Sequence, residues 1–441
     1  MLLGDTSTNL LMYADDLILI SHSKSGLQSC LDRLNQYCDT WNLKVNTDKT
    51  QVMIFNKSGK VLRKDNFLYK NINLINAQEY KYLGIIMRPS GVFSHSVKYL
   101  SNKAMKVVFM IRRQFQTNNI HPKLMFKLFD SCVIPILLYG CEAWSPYILK
   151  FDKLDSTSDF SLENKFKKLI PENIHTKFCK FVLGVGKYSS DIATKAELGR
   201  YPIAINAITH SLKYWLTLNN KCIPNFDKKF VFLSTNDNHV FSSFDKHIQA
   251  LLTHMGYNHV CVNKTTFSIN ALICSLKLKF REKYINYFKH GINNPDSKLR
   301  TYRLFKSSYH MENYIMLNVN KQLIYQLARF RISNHCLAIE RGRFATKNKD
   351  GKYTNTPTAE RLCKFCTDNA VEDELHFMVS CSLYDKRRQT FFNSLNDLLP
   401  DFVKSNSTEQ FIFLLSTNDT EILNLLIHYI NDCFNLRKTL Q

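Results

Sequence analysis

The chain has no apolar run long enough to cross a bilayer. Its longest apolar stretch, Cys132 to Cys141, is short and contains Pro135. No charged-then-apolar signal segment opens it. Regular cysteine spacing is also missing: the thirteen cysteines are odd in number and scattered until Cys363. Together these absences argue against a secreted disulfide scaffold and point to an intracellular, reducing environment with free thiols and no membrane span. Neither an internal repeat nor a long low-complexity tract is visible, so a chain that is 45% apolar should be globular. At 441 residues it can bury a substantial core in two or three domains. Acid is scarce, with 37 Asp and Glu against 59 Lys and Arg, a net charge of +22. Residues 1 to 60 are balanced, so the rest of the chain supplies the whole excess. Such a field suits a polyanion, most simply RNA or DNA. A basic, solvated surface without a specific partner is the alternative.

The chemistry begins in the neutral part. Leu10 to Ile20 is an apolar run interrupted by Asp15 and Asp16. The pattern predicts two buried strands joined by a tight turn with both carboxylates at its tip. Adjacent acids on a rigid hairpin repel each other unless a divalent cation sits between them, and oxygen-liganded Mg²⁺ is the natural choice. Such a pair is half of a two-metal phosphoryl-transfer site. Taken alone, it also reads as an ordinary Asp-rich turn.

Residues 22 to 42 then predict an amphipathic helix capped by Ser25, with Leu27, Leu31, Leu34 and Tyr37 or Cys38 on one face. Val52 to Phe55 predicts a strand, Phe67 to Leu74 a hairpin around Lys70-Asn71, and Tyr80 to Met87 a further strand. From about residue 95 the period becomes helical. Ala104, Val108, Ile111 and Phe115 share one face, and Lys103, Lys106 and Arg113 lie roughly opposite. That basic face either tracks a phosphate backbone or is merely solvated. Leu124 to Trp144 and Phe178 to Val185, with its apolar-flanked Cys179, read as packing. Residues 150 to 165 read as a surface loop or linker, and residues 222 to 265 are polar and poorly periodic. Residues 298 to 345 interleave Lys298, Arg300, Arg303, Lys306, Arg329, Arg331, Arg341 and Arg343 with Tyr302, Phe305 and Tyr309. Arginine can fork onto phosphate and aromatics can stack on bases; helical packing with snorkelling cations competes with that reading.

A second constellation is Cys363-x2-Cys366, then His376-x4-Cys381. Two cysteines two apart grip one side of Zn²⁺, and a His and a Cys farther on close a tetrahedron. Leu375 and Phe377 around His376 predict a short helix carrying the third ligand. No vacant position or nearby general base is evident, so the site reads as structural. Arg361, Lys364, Lys386, Arg387 and Arg388 beside it suggest a grip on nucleic acid.

Several of these stretches resemble one family in the right order. Tyr13-Ala14-Asp15-Asp16 resembles the Tyr-x-Asp-Asp box of reverse transcriptases. Trp41 to Thr50 and Tyr82-Leu83-Gly84 are similar to the two motifs that follow it in LINE-type, non-LTR retrotransposon enzymes. Pro135 to Trp144, Phe178 to Val185 and Glu197 to Pro202 resemble later segments of those proteins. Cys363, Cys366, His376 and Cys381 resemble their C-terminal zinc knuckle. The resemblance implies an α+β chain. Its parts are a partial polymerase palm (1–92), a thumb (93–150), a helical basic linker region (166–345), a zinc knuckle (346–395) and C-terminal helices (396–441). It implies a fragment of an RNA-directed DNA polymerase, working in the nucleus and cytoplasm as a ribonucleoprotein on an RNA template and a DNA primer or target, with deoxynucleotide triphosphates. Asp15 and Asp16 would be catalytic Mg²⁺ ligands, with Lys49 near the triphosphate and Tyr82 and Gly84 near the primer. Such an enzyme also needs an earlier-strand carboxylate, fingers and a Ser-Gln-Gly segment. None is found here, Asp5 lying too close to the turn, so this chain is expected to be inactive alone, with a missing N-terminal fragment as a partner. No Pro-Asp…Asp-x-Lys nuclease pattern follows the knuckle. A non-enzymatic RNA- or DNA-binding remnant with a zinc knuckle is the alternative.

Overall fold

The structure, a computed structural model, describes residues 2–3, 6–7, 9–60, 65–117, 120–154, 160–219, 243–262, 268–295, 297–344, 346–347, 353–400, 402 and 405–440. Helices dominate, joined by short two-stranded sheets, so the class is α+β. Two units form: residues 1–104, 135–171 and 203–279 make the first, and residues 105–134, 172–202 and 280–441 the second.

In the first unit, Leu10–Tyr13 pairs antiparallel with Asp16–Leu19, Tyr13 opposite Asp16. The hairpin forms as the sequence predicts, but its strands are not buried. Met12 is 67% and Tyr13 65% exposed, and Leu10, Leu11 and Leu17 are exposed as well. The reason is topological: among the described residues these two strands pair only with each other, and only the far end of the return strand, at Leu19, reaches the core behind it.

The helix Lys24–Thr40 follows. Its cap is Ser23 rather than Ser25, because the Ser23 hydroxyl accepts from the Gly26 amide. Leu31 and Cys38 are buried, whereas Tyr37 turns outward. Leu31 packs with Val52, Phe67, Tyr69 and Leu74 in a small core. The strand expected over Val52 to Phe55 shortens to Gln51–Val52, which runs parallel to Ile75–Asn76, and Phe55 is exposed. Leu68–Tyr69 and Ile72–Asn73 form the expected hairpin, with Lys70 and Asn71 both at positive φ. Tyr80 to Met87 is not one strand but a third tight hairpin, Tyr80–Tyr82 against Ile85–Met87. Leu83 (φ 44°) and Gly84 (φ 83°) reverse the chain there, which a continuous strand cannot accommodate.

Farther along, Cys141–Leu149 packs on Ala204–Asn219. A 2.7 Å hydrogen bond between the Ser145 and Ser211 hydroxyls ties the pair. The segment read as a linker is mostly packed structure. Phe151 is buried in a short 3₁₀ turn and Leu162 in the helix Ser161–Phe166, leaving 155–159 outside the described residues. The region 222 to 265, read as aperiodic, carries the helices Ser243–His254 and Asn258–Val262; residues 222–242 and 263–265 lie outside the described ones. The Trp215 indole donates to Asp245 at 2.6 Å, a long-range bond that composition conceals.

The second unit is built around Glu197, at the end of the helix Asp191–Glu197. Its fully buried carboxylate accepts from Arg331 Nε (2.8 Å), Tyr302 (3.0 Å) and Tyr314 (2.6 Å). Burial opposes its charge, but Arg331 and Lys306 hold its pKa below the usual carboxylate value. Gly199 (φ 60°) lets that corner lie against Met311, where a Cβ would come within 2.7 Å of a backbone nitrogen. Cys179 is buried, as its apolar flanks predict. The helices Asp385–Asn396, Ser407–Ser416 and Thr420–Thr439 complete the unit. No single helix among the described residues is long and apolar enough to cross a membrane.

Candidate functional sites: an acidic turn and a Cys-Cys-His-Cys cluster

At the first site, Ala14 and Asp15 form the two-residue turn and Asp16 begins the return strand. Ala14 sits at φ 54°, a left-handed conformation that costs an L-residue about 1 kcal/mol or more. Both carboxylates are exposed. Two adjacent exposed oxygen donors can contribute to a Mg²⁺ shell but cannot complete one, since the ion takes a full octahedron of oxygens.

Lys49 follows an Asn46-capped turn. The Asn46 side chain accepts from the amides of Asp48 (3.1 Å) and Lys49 (3.2 Å), leaving the Lys49 ammonium exposed. Tyr82 ends the first strand of the Tyr80–Met87 hairpin and Gly84 lies in its turn, and that turn has a partner from far along the chain. The Tyr139 hydroxyl donates to the Leu83 carbonyl at 2.8 Å. A Cβ on Gly84 would come within 2.9 Å of the Tyr139 ring, and one on Gly140 within 2.9 Å of Ile85. Gly84 is therefore required by close approach as well as by positive φ, whereas Gly140 is favoured by its positive φ, the terminal methyl of Ile85 being able to shift. Tyr139-Gly140 was legible only as packing; its hold on the Leu83-Gly84 turn spans 56 residues.

The basic face of Ser94–Thr117 emerges as its periodicity predicts. Ala104, Val108, Ile111 and Phe115 are buried, and Lys103, Lys106 and Arg113 are exposed. The interleaved region 298 to 345 differs from expectation. Arg331 and Lys306 are buried, the former on Glu197 and Glu312 and the latter on Glu312. Arg300 joins Glu340 (2.8 Å) and Glu374 (2.5 Å). Arg329 donates to the Gly184 carbonyl, Arg343 faces Glu340 at 3.3 Å, and Tyr302 and Phe305 are core. These cations are thus spent on buried acids and carbonyls that the periodicity of their own segment could not reveal. Arg303 stays exposed.

The second site assembles as its spacing predicts. Cys363, Cys366, His376 and Cys381 bring one ligand atom each within 4.8 Å of the others. Cys363 Sγ lies 3.9 Å from Cys381 Sγ, and Cys366 Sγ lies 3.4 Å from His376 Nε2. Tetrahedral Zn²⁺ with ordinary bond lengths would separate two sulfurs by about 3.8 Å and a sulfur from a nitrogen by about 3.6 Å. The residues present therefore fit that ion.

Local backbone explains the spacing. The Cys363 amide donates to the Ala370 carbonyl, and Asn369 (φ 46°) turns the loop between the cysteines and the histidine. His376–Ser380 is a single π-helical turn, so the Cys381 amide closes onto the His376 carbonyl at 2.8 Å. That five-residue ring sets the x4 spacing. Burial pushes the Cys381 thiol up and the His376 imidazole down. The lowered imidazole pKa favours the neutral form that a metal needs, while a cation bound here would have to displace the Cys381 thiol proton.

Acids between the ligands clamp this cluster to the helices. Glu372 is buried on Arg437 and accepts from the Ala338 amide at 2.7 Å. Glu374 accepts from His335 (2.9 Å), Ser333 (2.9 Å) and Arg300 (2.5 Å). Burial opposes the Glu374 charge, but His335 and Arg300 outweigh it and hold the pKa down at about 2. Of the nearby bases, Arg388 donates twice to the Cys381 carbonyl and Arg361 to the Thr356 and Ile339 carbonyls. Lys364, Lys386 and Arg387 remain exposed.

With this geometry in place, comparison with known proteins gives three results. Residues 2–87 match the sequence model of the reverse transcriptase (RNA-dependent DNA polymerase) family. An uncharacterized transposon-derived protein of Caenorhabditis elegans is 28% identical over 142 residues, 32% of this chain and 50% of that protein. The RNA-directed DNA polymerase from the mobile element jockey of Drosophila melanogaster is 29% identical over 141 residues, 30% of this chain and 15% of that protein. The matches thus span about half of the first relative and a smaller part of the second. No solved structure matches the chain.

Proposed function

We propose that this chain carries part of the RNA-directed DNA polymerase of a LINE-type transposable element, which copies RNA into DNA from a DNA primer. The observation that carries this reading is the match of residues 2–87 to the reverse transcriptase family, with Tyr13-Ala14-Asp15-Asp16 on the tip of a formed hairpin inside it. In this reading Asp15 and Asp16 would hold Mg²⁺, which supplies charge neutralisation and orientation for nucleotidyl transfer when bound. The hairpin keeps the two carboxylates adjacent, and Lys49 presents its ammonium toward the triphosphate. The Tyr82-Leu83-Gly84 turn, braced by Tyr139, lies along the primer. The exposed Lys103, Lys106 and Arg113 follow the phosphates of the product duplex. Cys363, Cys366, His376 and Cys381 hold a structural Zn²⁺, and Lys364, Lys386 and Arg387 put positive charge beside it.

Two-metal chemistry requires a further carboxylate facing the pair. The chain alone should therefore bind nucleic acid but not extend a primer, and activity should return when a fragment bearing that carboxylate is supplied. The test is primer extension on poly(rA)–oligo(dT) with Mg²⁺, comparing the chain with Asp15→Ala/Asp16→Ala, with and without an upstream palm fragment. Incorporation that needs the fragment and is abolished by the double substitution supports the reading. Salt-sensitive binding with no incorporation under either condition would favour a non-enzymatic nucleic-acid-binding protein, a reading supported by the outward basic helix face.

A further inference from the structure

Within the first unit, Cys141, Glu142 and His210 bring one ligand atom each within 4.8 Å of the others. Cys141 and Glu142 open the helix Cys141–Leu149, and His210 comes from the helix Ala204–Asn219 packed along it. His210 Nδ1 lies 3.5 Å from Cys141 Sγ and 3.8 Å from Glu142 Oε1. The nitrogen–sulfur separation is within hydrogen-bond range, so the pair can share the thiol proton when no ion is bound, whereas 3.8 Å is too long for a nitrogen–oxygen hydrogen bond. The first is close to the about 3.6 Å expected of sulfur and nitrogen sharing one tetrahedral ion; the second exceeds the about 3.3 Å expected of nitrogen and carboxylate oxygen by about half an ångström, which rotation of the partly exposed Glu142 side chain can close.

We propose that these three residues form a second transition-metal site, of the Zn²⁺ class, separate from the Cys-Cys-His-Cys cluster. Thiolate, imidazole and carboxylate together are a borderline-soft set that selects zinc over Mg²⁺. Three protein ligands leave one tetrahedral position open. The Glu142 and His210 side chains are 43% and 52% exposed, so water can reach it. The frame is preset: the Ser211 hydroxyl donates to the Cys141 carbonyl at 3.1 Å and shares a 2.7 Å bond with Ser145 one turn on. The two ligand-bearing helices therefore keep their register without the ion. Binding exchanges the thiol proton of Cys141 for the metal and releases it to solvent.

The position gives the ion a consequence. Cys141 directly follows Tyr139-Gly140, the corner that holds the Leu83 carbonyl and packs on Ile85. An ion joining Cys141 to His210 fixes the start of that helix and thereby the corner on which the Leu83-Gly84 turn rests.

The experiment uses the full chain, loaded with Zn²⁺ and dialysed against a weak chelator, with bound zinc counted by inductively coupled plasma mass spectrometry. It compares the chain with His210→Ala, Cys141→Ser and Cys366→Ser. We expect about two equivalents for the unaltered chain and about one for each variant. In the first two, the ion retained should be that of the Cys-Cys-His-Cys cluster. With Co²⁺ in place of Zn²⁺, Cys366→Ser should retain a visible spectrum of low sulfur content, one thiolate rather than three. His210 is half exposed, so His210→Ala should fold, as circular dichroism will check. About one equivalent in the unaltered chain, or the same count in His210→Ala as in the unaltered chain, would overturn the proposal.

Discussion

Replacing Glu374 by Gln should destabilise the second unit by about 3 kcal/mol at neutral pH, and the cost should disappear in acid. The magnitude follows from the site. Burial opposes the Glu374 carboxylate, yet His335 and Arg300 take its pKa from 4.5 to about 2. The gap corresponds to about 3 kcal/mol at about 1.4 kcal/mol per pH unit. Deleting one member of a buried charge pair costs a similar amount, about 3–5 kcal/mol. The sign is that of a depressed acid. The unfolded chain takes up the proton first as pH falls, so the contribution is complete above about 4.5 and is lost between 4.5 and about 2. Urea unfolding of the zinc-loaded chain, followed by circular dichroism from pH 7 to pH 3, measures it against Glu374→Gln. Any acid loss of the metal ligands is common to both proteins and cancels in the difference. A difference below about 1 kcal/mol at pH 7, or one that stays constant down to pH 3, would refute the assignment of Glu374 as a charged anchor of the cluster.

Other perturbations test other parts. Gly84→Ala must place a Cβ at φ 83° within 2.9 Å of the Tyr139 ring, and should cost about 1–3 kcal/mol in urea unfolding; Tyr139→Phe loses a single hydrogen bond to Leu83 and should cost about 1 kcal/mol. Glu197→Gln leaves Arg331 buried without its full counter-charge and should cost about 3–5 kcal/mol, while pairing it with Arg331→Met should recover part of that loss. Removing Lys103, Lys106 and Arg113 together should reduce the slope of log K against log salt for duplex binding by about 2–3. A slope that does not change would assign that face to solvent.

Some of this was legible along the chain because the physics is local. Lys70-Asn71 sits between short apolar runs and forms the turn its residues favour. The helical period after residue 95 sorts Ala104 and Val108 inward and Lys103 and Lys106 outward. The cluster ligands lie within 19 positions, close enough for one bridge and one π turn to converge them. Where reading failed, the missing information was a partner. The Leu10–Leu19 hairpin has strand-like composition, but burial requires a covering layer that composition does not specify. Tyr80 to Met87 alternates well enough for one strand, but Leu83 and Gly84 at positive φ fold it back.

From sequence alone, then, came the elements governed by neighbours a few residues apart: the acidic turn, the amphipathic helices and the spacing of the four soft ligands. Tertiary structure alone decided which charges and thiols meet a partner far along the chain. Arg331 reaches Glu197 across 134 residues, Arg300 reaches Glu374 across 74, and His210 meets Cys141 across 69. A cation's value to solvent, ligand or core depends on the dielectric and the counter-charge around it. Both are set by whichever distant segment the fold brings alongside.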